Sequence, residues 1–81
     1  MKLVFTRRAL SDYDAFPLNV QKLADKQLAF LVNDLRHPSL KAKKYDEGRG
    51  IWQARITRDY RMHFLIEGDE YIILTMIKHP K

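Results

Sequence analysis

A group of basic residues in the second half of the chain has the side-chain types that bind and cut a phosphodiester. Arg55 and Arg61 lie a few positions apart in apolar-rich segments, and a lysine-rich run at positions 41–44 precedes them. Arginine is permanently charged and offers a planar fork of donors, which suits the extra charge of a pentacoordinate phosphorus. His79 has the type of side chain that can protonate a departing oxygen near neutral pH.

The group that would accept a 2′-hydroxyl proton is less well defined. Lys43 or Lys44 could act as this base only if neighbouring positive charge lowers its pKa. The chemistry needs no metal. The three histidines, His37, His63 and His79, lack metal-ligand spacing and have no cysteines beside them, so we expect no metal site and no cofactor.

Each of these residues also has a purely structural interpretation. A strand arginine is often a surface residue paired with a carboxylate such as Asp59 or Glu67, and the lysine run could be a solvated loop. His79 could belong to a solvated tail. Tyr45 could stack on a nucleic-acid base or pack on a sheet edge, whereas Trp52 alternates with core residues and is more typical of a packing anchor.

The composition limits the kinds of protein to consider. The chain has 81 residues, with 15 Lys and Arg against 10 Asp and Glu, a net charge of +5 and no cysteine. This length predicts one compact domain over residues 1–81, with a shallow groove rather than a large cavity. The positive charge favours a polyanion or an acidic protein partner. The absence of cysteine and of long apolar runs predicts a cytoplasmic protein without a membrane partner.

The first half of the chain predicts a strand and two helices. Residues 2–6 are short and β-rich. Apolar residues at helical spacing predict a first helix over 7–16 and a second over 17–36, with Pro17 in the first turn of the second. Pro38 should stop that helix, so that residues 37–39 form a turn.

The second half predicts a basic segment followed by three strands. Residues 40–50 form a basic loop or an edge strand; their basic residues are Lys41, Lys43, Lys44 and Arg49. The strands span 51–57, 60–67 and 71–77, with reversals at 58–59 and 68–69. The fold class is therefore α+β: an N-terminal strand, a two-helix hairpin and an antiparallel β-meander in one sheet, with the helices packed on one face.

Strict alternation along the strands predicts which residues share a face. Arg55, Arg61 and His63 should lie on the face that the helices leave open. On the inner face we expect Met62, Phe64 and Ile66. The last strand divides into two sets, one containing Ile72, Leu74 and Met76 and the other containing Tyr71, Ile73, Thr75, Ile77 and His79.

An ordered series of motifs resembles the RelE/ParE superfamily of toxins from type II toxin–antitoxin systems, over nearly the whole chain. The motifs are His37-Pro38-Ser39-Leu40, the basic run to Lys44, Ile51-Trp52-Gln53-Ala54-Arg55-Ile56, Asp59-Tyr60-Arg61 and the terminal His79. Within the superfamily the chain is more similar to the RelE and YoeB branch of ribosome-dependent mRNA endonucleases than to the ParE branch of gyrase inhibitors.

The resemblance implies a role for each basic residue. Arg61 matches the arginine that faces the scissile phosphate, and Arg55 matches a neighbouring phosphate-binding arginine. Lys41, Lys43 and Lys44 fall where relatives place lysines for RNA binding and proton transfer. His79 falls where YoeB-like toxins place a catalytic histidine. We also expect Arg49 and Tyr45 to contribute to RNA binding.

Two positions depart from the YoeB-like pattern. Position 80 is proline where those relatives carry a catalytic tyrosine, and no carboxylate before Trp52 matches their glutamate base, since Asp46 and Glu47 are out of register. The alternatives are therefore a gyrase inhibitor or a catalytically weakened toxin that mainly binds its antitoxin. The expected partners are an acidic, partly disordered antitoxin, the ribosome and mRNA, with operator DNA contacted only through the antitoxin.

Overall fold

The computed structural model describes residues 1–79. The elements in chain order are β1 (Lys2–Phe5), α1 (Arg7–Asp14), α2 (Leu18–Asn33), a 3₁₀ turn (Pro38–Leu40), β2 (Lys43–Asp46), β3 (Ile51–Arg55), β4 (Tyr60–Glu67) and β5 (Glu70–Lys78). The α+β class is confirmed. Within the basic segment, residues 43–46 form an edge strand, β2, and residues 47–50 form the turn to β3.

The helices are shorter than the sequence predicts. Thr6 caps α1, because its Oγ1 accepts a hydrogen bond from a backbone N–H in the first turn. Pro17 precedes α2 as its N-cap residue and does not occupy its first turn. The helix ends at Asn33, where Asp34 adopts an extended backbone and its carboxylate accepts the N–H of Arg36 at 2.9 Å.

The five strands form one sheet in the order β1-β5-β4-β3-β2. Strands β2 to β5 pair in antiparallel fashion, which confirms the predicted meander, and β1 joins the far edge in parallel with β5. In the β2–β3 pair Lys43 lies opposite Gln53, and Lys44 lies opposite Trp52. Successive strand residues point to opposite faces, so these two lysines serve opposite faces of the sheet.

The helices cover one face of the sheet and enclose the core. Its buried apolar residues are Ala9, Val20, Ala24, Leu28, Leu31, Leu40, Ala54, Ile56, Met62, Phe64, Tyr71, Ile73 and Met76. The ring of Phe64 lies 6.3 Å from that of Trp52 and 5.7 Å from that of Tyr71. Trp52 is thus a packing anchor. Ile66, which we expected to face inward, is 36% exposed at the end of β4.

Strand β5 does not alternate strictly, so the predicted division of its faces is wrong. Phe64 pairs with Ile73 and the neighbouring His63 pairs with Thr75, so Leu74 is an extra residue in β5. This is a β-bulge. Tyr71 and Ile73 are buried before the bulge and Met76 is buried after it.

Neither of the helices in residues 1–79 has the length and apolar character that a bilayer-spanning segment needs.

Candidate nucleic-acid groove

The sheet face opposite the helices carries a shallow groove of about 210 Å³. Its lining residues are Lys41, Lys43, Gln53, Arg55, Arg61 and His79. They come from the segment before β2, from β2, β3 and β4, and from the residue that follows β5. None of these six side chains is a carboxylate, so the groove presents positive charge and amide dipoles to a ligand.

Arg55 and Arg61 are direct cross-strand partners in the β3–β4 pair. Like charges at such positions repel and destabilise a sheet. Burial of Arg61, followed by the positive charge of Arg55, lowers the pKa of the Arg61 guanidinium, while the charge of Asp59 acts to raise it. The guanidinium still stays protonated at neutral pH. The Nε of Arg55 is buried without a hydrogen-bond partner in the described chain. An anion between the two side chains would relieve the repulsion, and it would reach this buried donor if the Arg55 side chain turned to expose it.

The turn between β3 and β4 holds Arg61 in place. Its Nη1 donates to the backbone carbonyl oxygens of Thr57 at 2.7 Å, Arg58 at 2.9 Å and Tyr60 at 3.0 Å. These contacts use one nitrogen of the guanidinium fork. Because the fork is planar, anchoring one nitrogen fixes the direction of the rest of the group.

Lys41 approaches the groove in a strained backbone conformation. It follows the 3₁₀ turn with φ of 46° and ψ of 44°, a left-handed conformation that few residues other than glycine adopt. The side chain is exposed, as is that of Lys43. The two ammonium groups are therefore hydrated and free to meet phosphate.

His79 lies just beyond β5, at the end of the groove. Its backbone N–H donates to the carbonyl oxygen of Asp59 at 2.6 Å, which ties the segment to the β3–β4 turn that also holds Arg61. The side chain is exposed. The imidazole is thus positioned by its backbone and accessible to a ligand.

Three of the predicted site residues lie outside the groove. Lys44 faces the helix side, with its Nζ 5.4 Å from the centroid of the Trp52 ring, because neighbouring residues of β2 point to opposite faces. Arg49 pairs with Asp46 in the β2–β3 turn at 3.5 Å and its side chain is 80% exposed. Tyr45 stacks on His63, with ring centroids 4.3 Å apart, and is 59% exposed.

The carboxylates closest in sequence to the position of the relatives' glutamate base lie in or beside the β2–β3 turn. Asp46 accepts the backbone N–H of Arg49 at 3.1 Å as well as its side chain, so this carboxylate organises a turn and does not enter the groove. Glu47 lies in the same turn and is exposed. Pro80, at the position of the relatives' tyrosine, lies outside the described residues.

Sequence reasoning missed two glutamines. Gln53 lines the groove, and its Oε1 lies 3.2 Å from Nε2 of His63; its place on the Arg55 face of β3 was the available signal. Gln27 is buried in α2, where its Nε2 donates to the carbonyl oxygens of Arg55 at 2.9 Å and Ser39 at 3.1 Å. No sequence pattern indicates this link.

Replacing Arg55 by methionine should stabilise the fold. The change keeps an aliphatic stem and removes both the like-charge repulsion and the unpaired Nε, so we expect about 0.5 to 1 kcal/mol more unfolding free energy. Denaturant unfolding at low salt measures it, and the gain should shrink at high salt. Arg7→Met, on the exposed start of α1, is the matched control. A loss of stability in Arg55→Met would show that the pair is not repulsive.

Burial of His63 predicts acid sensitivity of the fold. Burial lowers the pKa of this imidazole below its ordinary value of 6.5. As pH falls below about 6.5 the unfolded chain takes up the proton first, so stability is intact above that pH and decreases below it. His63→Gln should reduce the fall in Tm between about pH 7.5 and pH 5.5. His79→Gln, an exposed control, should show the same fall in Tm as the wild type. A fall of that size in His63→Gln would show that His63 is not the source of the acid sensitivity.

Solved structures define the class of fold. A YoeB/ParE toxin from Agrobacterium tumefaciens matches with a TM-score of 0.82 and 19% identity, covering 99% of this chain and 100% of that one. The YoeB–YefM toxin–antitoxin complex from Staphylococcus aureus matches with a TM-score of 0.77, 19% identity and coverage of 99% and 98%. Isolated RelE from E. coli gives 0.77, 17% identity and coverage of 99% and 85%. The chain therefore has the RelE/YoeB toxin fold.

The sequence establishes the family. The family model for the ParE toxin of type II toxin–antitoxin systems, parDE, matches residues 3–81 of the sequence, and the chain belongs to this family. No curated protein sequence matches it. The predicted RelE/ParE superfamily membership is confirmed, and the protein is a toxin of a type II toxin–antitoxin system. The closer likeness to the RelE and YoeB branch stays a prediction.

Proposed function

We propose that this toxin is a metal-independent, ribosome-dependent mRNA endoribonuclease that stops translation in the cytoplasm. The observation that carries the proposal is the cross-strand pair of Arg55 and Arg61, whose charges repel and whose buried Nε lacks an acceptor in the described chain. A phosphodiester between the two side chains supplies the missing negative charge, and it supplies the missing acceptor once the Arg55 side chain turns to expose its Nε. Lys41, Lys43 and His79 surround the same groove.

The groove provides groups for each stage of RNA cleavage. Attack of the 2′-oxygen on phosphorus places extra negative charge on the phosphate, which Arg55 and Arg61 stabilise. The P–O5′ bond then breaks, and His79 donates a proton to the departing 5′-oxygen. Acceptance of the 2′-hydroxyl proton by Lys43, which lines the same groove, requires the neutral amine form of this side chain. The outer face of Tyr45, which is 59% exposed, offers a surface on which a base can stack.

Translation in a cell-free extract tests the proposal. The wild-type protein should arrest synthesis and cut mRNA in the ribosomal A site without added metal. Arg61→Ala should abolish cutting, whereas Arg7→Ala, which removes an exposed arginine on the helix side, should preserve it. Intact mRNA in the presence of folded wild-type protein would refute the nuclease assignment.

A second candidate is a ParE-like inhibitor of DNA gyrase that acts by contact and without catalysis. Two observations favour it: the family that matches is the ParE toxin family, and none of the described side chains that line the groove is a carboxylate that could act as base. It predicts inhibited supercoiling by purified gyrase while translation continues. A catalytically weakened toxin would leave both processes intact but still bind its antitoxin.

Salt dependence should distinguish neighbouring lysines. Lys43 lines the groove and Lys44 contacts Trp52 on the other face. For single-stranded RNA, Lys43→Ala should reduce the slope of log affinity against log salt by about 0.7, the value expected for one lost phosphate contact. Lys44→Ala should leave the slope unchanged. Equal effects of the two substitutions would mean that the groove does not select the RNA-binding lysine.

The proposed inhibitor is a cognate antitoxin with an acidic segment that covers the basic groove when it folds. Toxins of this fold from S. aureus and E. coli have been solved with their antitoxins. Any contact with operator DNA would then pass through the antitoxin. If the antitoxin masks the groove, bound antitoxin should protect Lys43, but not Lys22 of α2, from amine acylation.

A further inference from the structure

The two halves of β5 use opposite alternations, and the bulge at Leu74 connects them. Tyr71 and Ile73 face the core before it, whereas Met76 faces the core after it. Ile77 is consequently the cross-strand partner of Arg61 on the open face. The segment that ends in His79 then continues to the groove.

Without the bulge, strict alternation along β5 would reverse which residues after Ile73 face the core. If Tyr71 and Ile73 stayed in the core and β5 remained regular, Ile77 and His79 would point to the face covered by the helices. Arg61 would lose its neighbour. The bulge therefore directs the end of β5 toward the groove.

Helix α1 and its cap hold the bulge through side chains. Oγ1 of Thr6 donates to the carbonyl oxygen of Leu74 at 2.8 Å. Oδ2 of Asp12 accepts the backbone N–H of Met76 at 3.1 Å and the hydroxyl of Thr75. A bulge disrupts the regular ladder, and these contacts satisfy polar groups beside it. The same Asp12 oxygen lies 3.8 Å from Nε of the exposed Arg8.

We infer that Asp12 is a positioning residue for the groove: by holding the bulge, it directs the C-terminal part of β5 so that His79 lies beside Arg61. Asp12, on α1 beside β5, hydrogen-bonds Thr75 and Met76, and neither of these residues lines the groove. Its role in cleavage rests on the proposed nuclease function, but its role in placing His79 does not.

Hydrogen exchange measured by NMR tests the placement directly. Asp12→Ala should accelerate exchange of the Met76 amide by about 10- to 100-fold relative to that of Ile73, because its hydrogen bond to the Asp12 carboxylate is lost. The His79 amide, which donates to the carbonyl oxygen of Asp59, should also exchange faster because the end of β5 is no longer held in place. Asp12→Asn keeps one acceptor oxygen and should restore most of the protection. Asp14→Ala, an exposed carboxylate on the same helix, should change neither amide.

A deletion separates positioning from general stability. Removing Leu74 makes the β4–β5 pairing regular and leaves the residues after it in register, so in this background Asp12→Ala should no longer alter exchange at His79. Unchanged His79 exchange in Asp12→Ala alone, or an equal change with and without Leu74, would overturn the inference. In the cleavage assay Asp12→Ala should lower kcat more than it raises KM. If exchange behaves as expected but the wild type cuts no RNA, only the nuclease proposal fails.

Discussion

Arg61→Lys is expected to lower the rate of A-site mRNA cleavage by about 100- to 1,000-fold, the range found when one preorganised transition-state donor is removed. Lysine keeps the positive charge. It cannot, however, use one nitrogen to bind the carbonyl oxygens of Thr57, Arg58 and Tyr60 while presenting a fixed second nitrogen to phosphate. The loss should therefore appear in kcat, with a smaller effect on binding.

Arg58→Lys is the matched control for this change. Arg58 is exposed in the same turn and does not line the groove, so its replacement should leave cleavage within about twofold of wild type, as for other isolated surface changes. Thermal unfolding of both variants separates catalytic loss from damage to the turn. Near wild-type cleavage by a well-folded Arg61→Lys protein would show that charge alone is sufficient at this position.

Gln27→Leu is expected to lower the unfolding free energy by about 2 to 4 kcal/mol, because it leaves buried polar groups without partners. The glutamine, 6% exposed, donates to the carbonyl oxygens of Arg55 and Ser39 and accepts the hydroxyl of Ser39 at 3.1 Å. For a domain of this size Tm should fall by about 10 to 25 °C. At temperatures where the variant is still folded, its cleavage rate should also be lower than that of the wild type, since Gln27 links β3 to the turn that precedes Lys41.

Gln21→Leu is the control within the same helix. Gln21 is only half-buried and donates one hydrogen bond, to the carbonyl oxygen of Tyr13 at 2.9 Å. Its replacement should reduce stability by no more than about 1 kcal/mol. If Gln27→Leu were as stable as the wild type or more stable, hydrophobic burial would outweigh the polar network at this position.

Local sequence signals predict the fold well where they are strong. The bounds predicted for β4, residues 60–67, are those observed, because turn residues flank it on both sides. Alternation along β3 and β4 also placed Arg55 and Arg61 on one open face, and the structure brings them together with Lys41, Lys43 and His79. The roles assigned to these residues stay predictions.

The misses arise where tertiary contacts override local pattern. The β5 bulge is held by Thr6 and Asp12 of the α1 region, distant in sequence, and strict alternation cannot anticipate it. Lys44 could not be separated from Lys43 until β2 was known to be a strand paired with β3. Gln27 resembles any polar helix residue until its buried partners are known.

Phosphodiester binding by Arg55 and Arg61 is tested most directly by NMR of the arginine side chains with a bound oligonucleotide. A short single strand with a 2′-deoxy sugar at the cleavage position can bind without being cut. If the pair binds the phosphodiester, the Nε–H signal of Arg55 should move downfield and exchange more slowly as it gains a phosphate acceptor, and Arg61→Ala should remove this change. A bound strand that leaves the side-chain signals of Arg55 and Arg61 unchanged would contradict the claim that this pair binds the phosphodiester.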